Sequence, residues 1–236
     1  LYNTAIAEIL ANAGFDWIVI DLEHSVISID QAAELIRTVG LSGSVPLVRL
    51  TSNNSNQIKR VMDAGAHGIV VPMVNSPEDA KNAVFATRYA PKGNRGVGLA
   101  RAQGYGADFK KYLTWQEEGP IVILQIEHID ALPKLEGIMS VEGVDGYIIG
   151  PYDLSCSMGI PGDFNNPIFL RTIDKIKAAG LRMNCPSGIH VVEPDPAKLQ
   201  EAINTGFKFI AYSVDIRMLD VASRKGLAVL NKDKSL

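Results

Sequence analysis

The chain has 236 residues, a length that suits one α/β barrel or at most two small domains, with a core that needs no disulfide staple. Hydrophobic residues make up 47% and charged residues 21%, and the formal net charge of −3 comes from both signs scattered along the chain, so no nucleic-acid or anionic-membrane partner is expected. Cys156 and Cys185 have no metal-finger or redox-pair spacing, no apolar run reaches membrane-spanning length, and the first residues lack a signal-peptide pattern. A reducing, cytoplasmic setting is therefore expected.

In chain order, residues 4–13 read as a helix with Ile6, Ile9 and Leu10 on one face. The first strand candidate is 16–21 (DWIVID), followed by a helix over 31–39 with Asp30 as its N-cap. Strand 45–50 (VPLVRL) leads to helix 55–64, which stops at Gly65. Strand 68–73 (GIVVPM) leads to helix 77–87, with Ser76 as cap and Pro77 at the first helical position. Residues 92–119 show no clear strand and read as one long, glycine-rich loop, a length that usually signals function. Then come strand 121–127, helix 129–140, strand 146–151, helix 167–179, strand 182–186, helix 195–205, strand 207–213 and a final helix 216–229. The strand runs are continuous rather than alternating, which indicates burial on both faces of a parallel sheet. No low-complexity stretch or linker divides them, so 1–236 reads as one domain. Alternation of strand and helix means a parallel α/β fold. Seven strands suit a doubly wound sheet or an incomplete barrel. Because the chain opens on a helix, the reading expects a barrel whose first strand lies just upstream.

Active sites in TIM barrels gather at the C-terminal ends of the strands. There the sequence offers Asp21, Glu23 and His24, then Arg49, then Gln125 and Glu127, then Gly150-Pro151-Tyr152-Asp153. Glu127 and Asp153 are two hard-oxygen ligands on neighbouring strand ends, enough for an octahedral magnesium or manganese that keeps water and substrate positions. Equally open is a turn-capping Asp153 and a solvated Glu127. His24 sits where a general acid or base could reach a substrate, although a lone histidine is more often structural. Arg49 ends an apolar strand and needs a partner, either a 2-oxo acid or a salt bridge to Asp21 or Glu23. Asp63 carries a negative charge at a helix C-terminus, where the dipole disfavours it; a plain surface aspartate is the commoner explanation. His67, His128 and His190 read as structural or surface residues. No strand core holds a clear Schiff-base lysine, which favours metal over imine chemistry, and neither cysteine has a thiolate context.

In these segments, Phe15-Asp16-Trp17 to Asp21-Leu22-Glu23-His24, Val48-Arg49, Lys59 to Gly65 (KRVMDAG), Val71-Pro72-Met73-Val74, Gln125-Ile126-Glu127 and Gly143-Val144-Asp145-Gly146 to Gly150-Pro151-Tyr152-Asp153-Leu154-Ser155, the chain resembles the HpcH/HpaI aldolase family. The likeness runs in order over nearly the whole chain. It implies a TIM (β/α)8 barrel of the phosphoenolpyruvate/pyruvate superfamily, with Mg, Mn or Co held by Glu127 and Asp153. It implies that Arg49 steadies the 2-oxo oxygen and the enolate. His24 would assist proton transfer, paired with Asp63 across subunits, and Asp21 would organise the site. Gln125, Gly150, Pro151 and Tyr152 would line the substrate. It further implies a homo-oligomer, a hexamer or trimer of dimers, with helix 216–229 exchanged between subunits. Two features depart from the family: its first strand is absent, and residues 184–190, read as ending a strand at the catalytic rim, are unlike its usual forms.

The activity this implies is reversible cleavage of a 4-hydroxy-2-oxo acid to pyruvate and an aldehyde. Two rivals remain at the level of sequence: a related metal-dependent lyase or oxaloacetate decarboxylase, and a catalytically silent barrel that binds 2-oxo acids.

Overall fold

The computed structural model describes residues 1–231. Helix α1 (Thr4–Asn12) is capped by Asn3, whose side chain accepts from the Ala5 and Ile6 amides. The chain then alternates through β1 (Trp17–Asp21), α2 (Ile29–Leu41), β2 (Val45–Arg49), α3 (Ser55–Asp63), β3 (Gly68–Val71) and α4 (Pro77–Thr87). After α5 (Phe109–Glu118) come β4 (Ile121–Ile126), α6 (Leu135–Met139), β5 (Gly146–Ile149) and α7 (Pro151–Ser157). The chain continues through α8 (Pro167–Arg182), β6 (Ser187–Val191), α9 (Pro196–Asn204), β7 (Phe209–Tyr212) and α10 (Asp215–Asn231). The seven strands are all parallel and lie in sequence order. The sheet curls until Trp17 of β1 stacks on Phe209 of β7, ring centroids 4.1 Å apart and 4° from parallel. Among the described residues β1 and β7 are not hydrogen-bonded neighbours, so the curl is open there.

Side-chain alternation divides the core in two. Ile18, Ile20, Val48, Ile69, Val71, Val122, Leu124, Ile126, Tyr147 and Ile149 point outward against the helices and form the large cluster. Val19, Val70, Ile121, Ile123, Ile148, Phe209 and Ala211 point inward and form a small one. Both faces of the central strands are therefore dry, which explains their continuous apolar runs.

Three expectations are corrected. Residues 182–186 are not a strand: α8 runs on to Arg182, Asn184 turns with φ of 51°, and the strand is 187–191. Residues 184–190 accordingly lead into and largely form a strand rather than ending one. The stretch 92–119 is not one loop, because it contains a 3-10 segment (Arg101–Gly106) and α5. Helix α2 begins at Ile29, so Ser28 is the cap and Asp30 lies inside the first turn, with Gln31 accepting from the Ser28 amide at 3.0 Å.

Candidate active site

The inward face of the sheet turns polar at its C-terminal edge. Asp21 lies beside Arg49 in register on β1 and β2, one step above the apolar layer. The Arg49 guanidinium forms a two-pronged ion pair with Asp21, Nε to Oδ1 at 2.9 Å and Nη2 to Oδ2 at 2.7 Å. Its Nη1 lies 3.3 Å from Glu23 Oε2. Both salt bridges weighed for Arg49 are thus made together. They raise its pKa against the opposing effect of burial, so the cation is fixed in charge and in direction. Asp21 also closes a tight turn, accepting from the Glu23 amide at 3.0 Å and the His24 amide at 3.3 Å. Although burial alone would raise it, the Arg49 fork and these amides hold its carboxyl below the usual range. His24 follows on the exposed side of that turn, its Nε2 3.7 Å from Glu23 Oε2.

Glu127 follows β4 and is 3% exposed. Its Oε1 accepts from the Met73 amide at 2.7 Å, and both oxygens lie within 3.0 Å of Gln125 Nε2. That amide sits in an uncommon conformation, Met73 having φ of 54°. Gly150 allows the close approach from β5: a Cβ there would lie 2.4 Å from Glu127 Oε2 and 2.8 Å from its Cβ. Pro151 starts α7, with Asp153 in its first turn, where the helix dipole favours an anion. Tyr152 is exposed and packs edge-on against Phe164, centroids 5.0 Å apart.

The charge balance of this rim is a test for a cation. Burial pushes the Glu127 carboxyl up, and Glu23 and Asp153 push it further, against the hydrogen bonds from Met73 and Gln125. Glu23 is raised mainly by burial as well. Three carboxylates (Asp21, Glu23, Glu127) therefore act on one guanidinium, with Asp153 acting on Glu127 beside them, and a divalent cation would relieve the excess. Among the described residues no group of three or more His, Cys, Asp or Glu is arranged to hold a metal. Glu127 and Asp153 fit a site with two protein ligands that leaves the remaining positions to water and substrate.

The chain thus brings Asp21, His24, Arg49, Gln125, Glu127 and the Gly150–Asp153 turn to one edge. Asp63 stands apart at the C-terminal end of α3, where burial raises its carboxyl against the pull of Arg95 and Lys59. Its Oδ1 is buried without a hydrogen-bond partner in the described structure. Sequence reasoning placed Glu23 at the rim and weighed it only as a salt-bridge partner of Arg49, which it is. It missed His190, hidden by the misplacement of the strand that carries it. A cavity of ≈ 820 Å³ lies elsewhere, between the ends of α4 and α6 and the segments that enter β4 and β5, and holds none of these rim residues. The two cysteines are free; burial raises Cys185 to about 11, so its thiol stays protonated. No described helix is long and apolar enough to cross a membrane.

Comparison with known proteins bears on the family of the chain. A family model described as HpcH/HpaI aldolase/citrate lyase matches residues 1–221. A 2-keto-3-deoxy-L-rhamnonate aldolase of Klebsiella pneumoniae is 36% identical, the match covering 99% of this chain and 87% of that protein. The enzyme of the same name from Escherichia coli K12 is 36% identical over 97% of this chain and 85% of its own length. Among solved structures, an HpcH/HpaI aldolase/citrate lyase family protein from Burkholderia cenocepacia superposes with a TM-score of 0.91 at 32% identity, covering 98% of this chain and 91% of that one. An HpcH/HpaI aldolase from Desulfitobacterium hafniense gives 0.89 at 29% identity, covering 100% and 90%.

Proposed function

Because the chain belongs to the HpcH/HpaI aldolase/citrate lyase family, we propose that it is a divalent-metal-dependent aldolase that reversibly cleaves a 4-hydroxy-2-oxo acid to pyruvate and an aldehyde. The observation that carries this reading is the rim itself: a carboxylate-rich pair of strand ends facing an arginine locked in direction by Asp21 and Glu23. Relatives named for a deoxy sugar acid make sugar-derived 2-oxo acids the first substrates to try. We take the fold to be a TIM-type barrel, seen in the described residues as a curled sheet of seven parallel strands that is open between β1 and β7.

In this reading Glu127 and Asp153 hold Mg, Mn or Co. When bound, the metal supplies Lewis acidity to the carboxylate and 2-oxo group of the substrate. His24 relays the proton from the 4-hydroxyl, paired, as the family resemblance implies, with Asp63 of the partner subunit. As the C3–C4 bond breaks, the electron pair moves onto the 2-oxo oxygen, Arg49 holds the enolate charge, and the proton taken from the 4-hydroxyl is returned to C3 to give pyruvate. Gln125 orients Glu127, and Gly150, Pro151 and Tyr152 form one wall. The test is product analysis. Pyruvate and an aldehyde in equal amounts support aldol cleavage, whereas carbon dioxide from oxaloacetate without aldehyde cleavage would favour the decarboxylase. Arg49→Ala should lower turnover by about 10²–10³-fold; unchanged turnover would remove Arg49 from the reaction.

A further inference from the structure

His190 is absorbed by none of these roles, yet it points into the site. On β5, Ile148 belongs to the inward cluster, and it is in register with Gly188 of β6. His190, two residues on, shares that face, and its register partner on β7 is the inward-facing Ala211. A histidine therefore stands above the apolar inner layer, on the side opposite the fork of Arg49 and Asp21, whose charges both act on it.

Its contacts fix its chemistry. His190 Nε2 lies 3.2 Å from the carbonyl oxygen of Ser213. A carbonyl can only accept, so Nε2 carries the hydrogen. Burial holds the imidazole below its usual pKa, assisted by Arg49 and opposed by the Ser213 carbonyl and Asp21, which favours the neutral ring. Nδ1 then carries a lone pair, and no described residue donates to it. That lone pair repels the carboxylate and oxo oxygens of a 2-oxo acid and attracts only a donor, which in such a substrate is a hydroxyl.

We propose that His190 is a specificity-determining residue whose Nδ1 accepts a hydrogen bond from a hydroxyl on the three-carbon half of the substrate, so that the site prefers 3-hydroxypyruvate over pyruvate as the nucleophilic partner. This rests on the 2-oxo acid reading above, which puts the three-carbon half against Arg49, deep within the curl, and sends the aldehyde outward to the loops. Gly188 beneath it has room for nothing larger, since a Cβ there would lie 2.8 Å from the Phe209 carbonyl oxygen and 2.9 Å from that of Tyr147.

The test is binding rather than turnover. Calorimetry on the manganese-loaded full chain compares the Kd of 3-hydroxypyruvate with that of pyruvate, in wild type, His190→Leu and His190→Asn. Asparagine keeps an acceptor near the place of Nδ1 and loses the Ser213 contact. Wild type should favour the hydroxylated ligand by about tenfold, His190→Leu should erase the preference, and His190→Asn should retain much of it. A wild type without the preference, a leucine variant that keeps it, or an asparagine variant that behaves as leucine does would each overturn the proposal. If the preference depends on His190 but no aldol cleavage occurs, the specificity role stands and the aldolase reading falls.

Discussion

Glu127 shows how a single side chain links the fold to its chemistry. Burial and neighbouring carboxylates raise its pKa, so the fold binds that proton more tightly than the unfolded chain does. The sign follows: the metal-free protein loses stability as pH rises from the ordinary glutamate range through the raised folded value. Glu127→Gln keeps an oxygen for the Met73 amide and removes the charge. It should melt above the metal-free wild type at neutral pH, whereas manganese should raise the Tm of wild type only. Equal manganese stabilisation of both proteins would mean that Glu127 is not a ligand. At this scale Asp21, His24, Arg49, Gln125, Glu127 and Asp153 were legible because each follows an apolar strand run. Glu23 was placed at the rim and weighed as an Arg49 partner, but it was given no role of its own, because its contact with Arg49 depends on a turn that the sequence does not specify. Asp63 was legible as an oddity, and only its distance from the rim required the structure.

Among the elements, β4, β5 and α7 do most to define the site, since they bring Glu127 and Asp153 together. Gly150 is the close contact between β4 and β5. Gly150→Ala would set a methyl 2.4 Å from Glu127 Oε2 and force that carboxylate aside. Manganese affinity should fall on the order of 10–100-fold, with far-ultraviolet circular dichroism unchanged; retained affinity would show that Glu127 can move without loss. The central strands were easy to read because both faces are dry. Strand β6 was not: Ser187, Gly188 and His190 are poor strand formers by composition, and the strand is held by its register with β5 and β7. Helix α7 was missed because seven residues opening on Gly-Pro read as a turn. Helix α5 was missed within a stretch whose many glycines masked a short helix.

For the molecule as a whole, the parallel α/β class was legible from alternation, and the count of seven strands already suggested a doubly wound sheet or an incomplete barrel; the contacts that curl the sheet were not legible. The curl of the sheet brings together residues such as Trp17 and Phe209, about 190 residues apart in sequence, a contact that no local pattern encodes. The C-terminal helix carries an exposed apolar face, on which we base the proposal that it is exchanged between subunits. Ile216, Leu219, Leu227 and Leu230 of α10 are each more than half exposed, a pattern that fits exchange of this helix between subunits. In an isolated chain, Leu227→Glu would change stability by no more than about 0.5 kcal/mol. In an exchanged assembly it should shift the mass measured by light scattering toward smaller species. An unchanged mass would place this helix outside the interface.

The most direct measurement is pyruvate release from a panel of 4-hydroxy-2-oxo acids, made with added manganese or magnesium, again with a chelator, and again with Glu127→Ala. Release that needs the metal and is lost in the variant is the expected result, and the best substrate of the panel would identify the aldehyde half. A folded, metal-loaded protein that releases no pyruvate from any of them, or releases it equally in the chelator, would contradict the assignment.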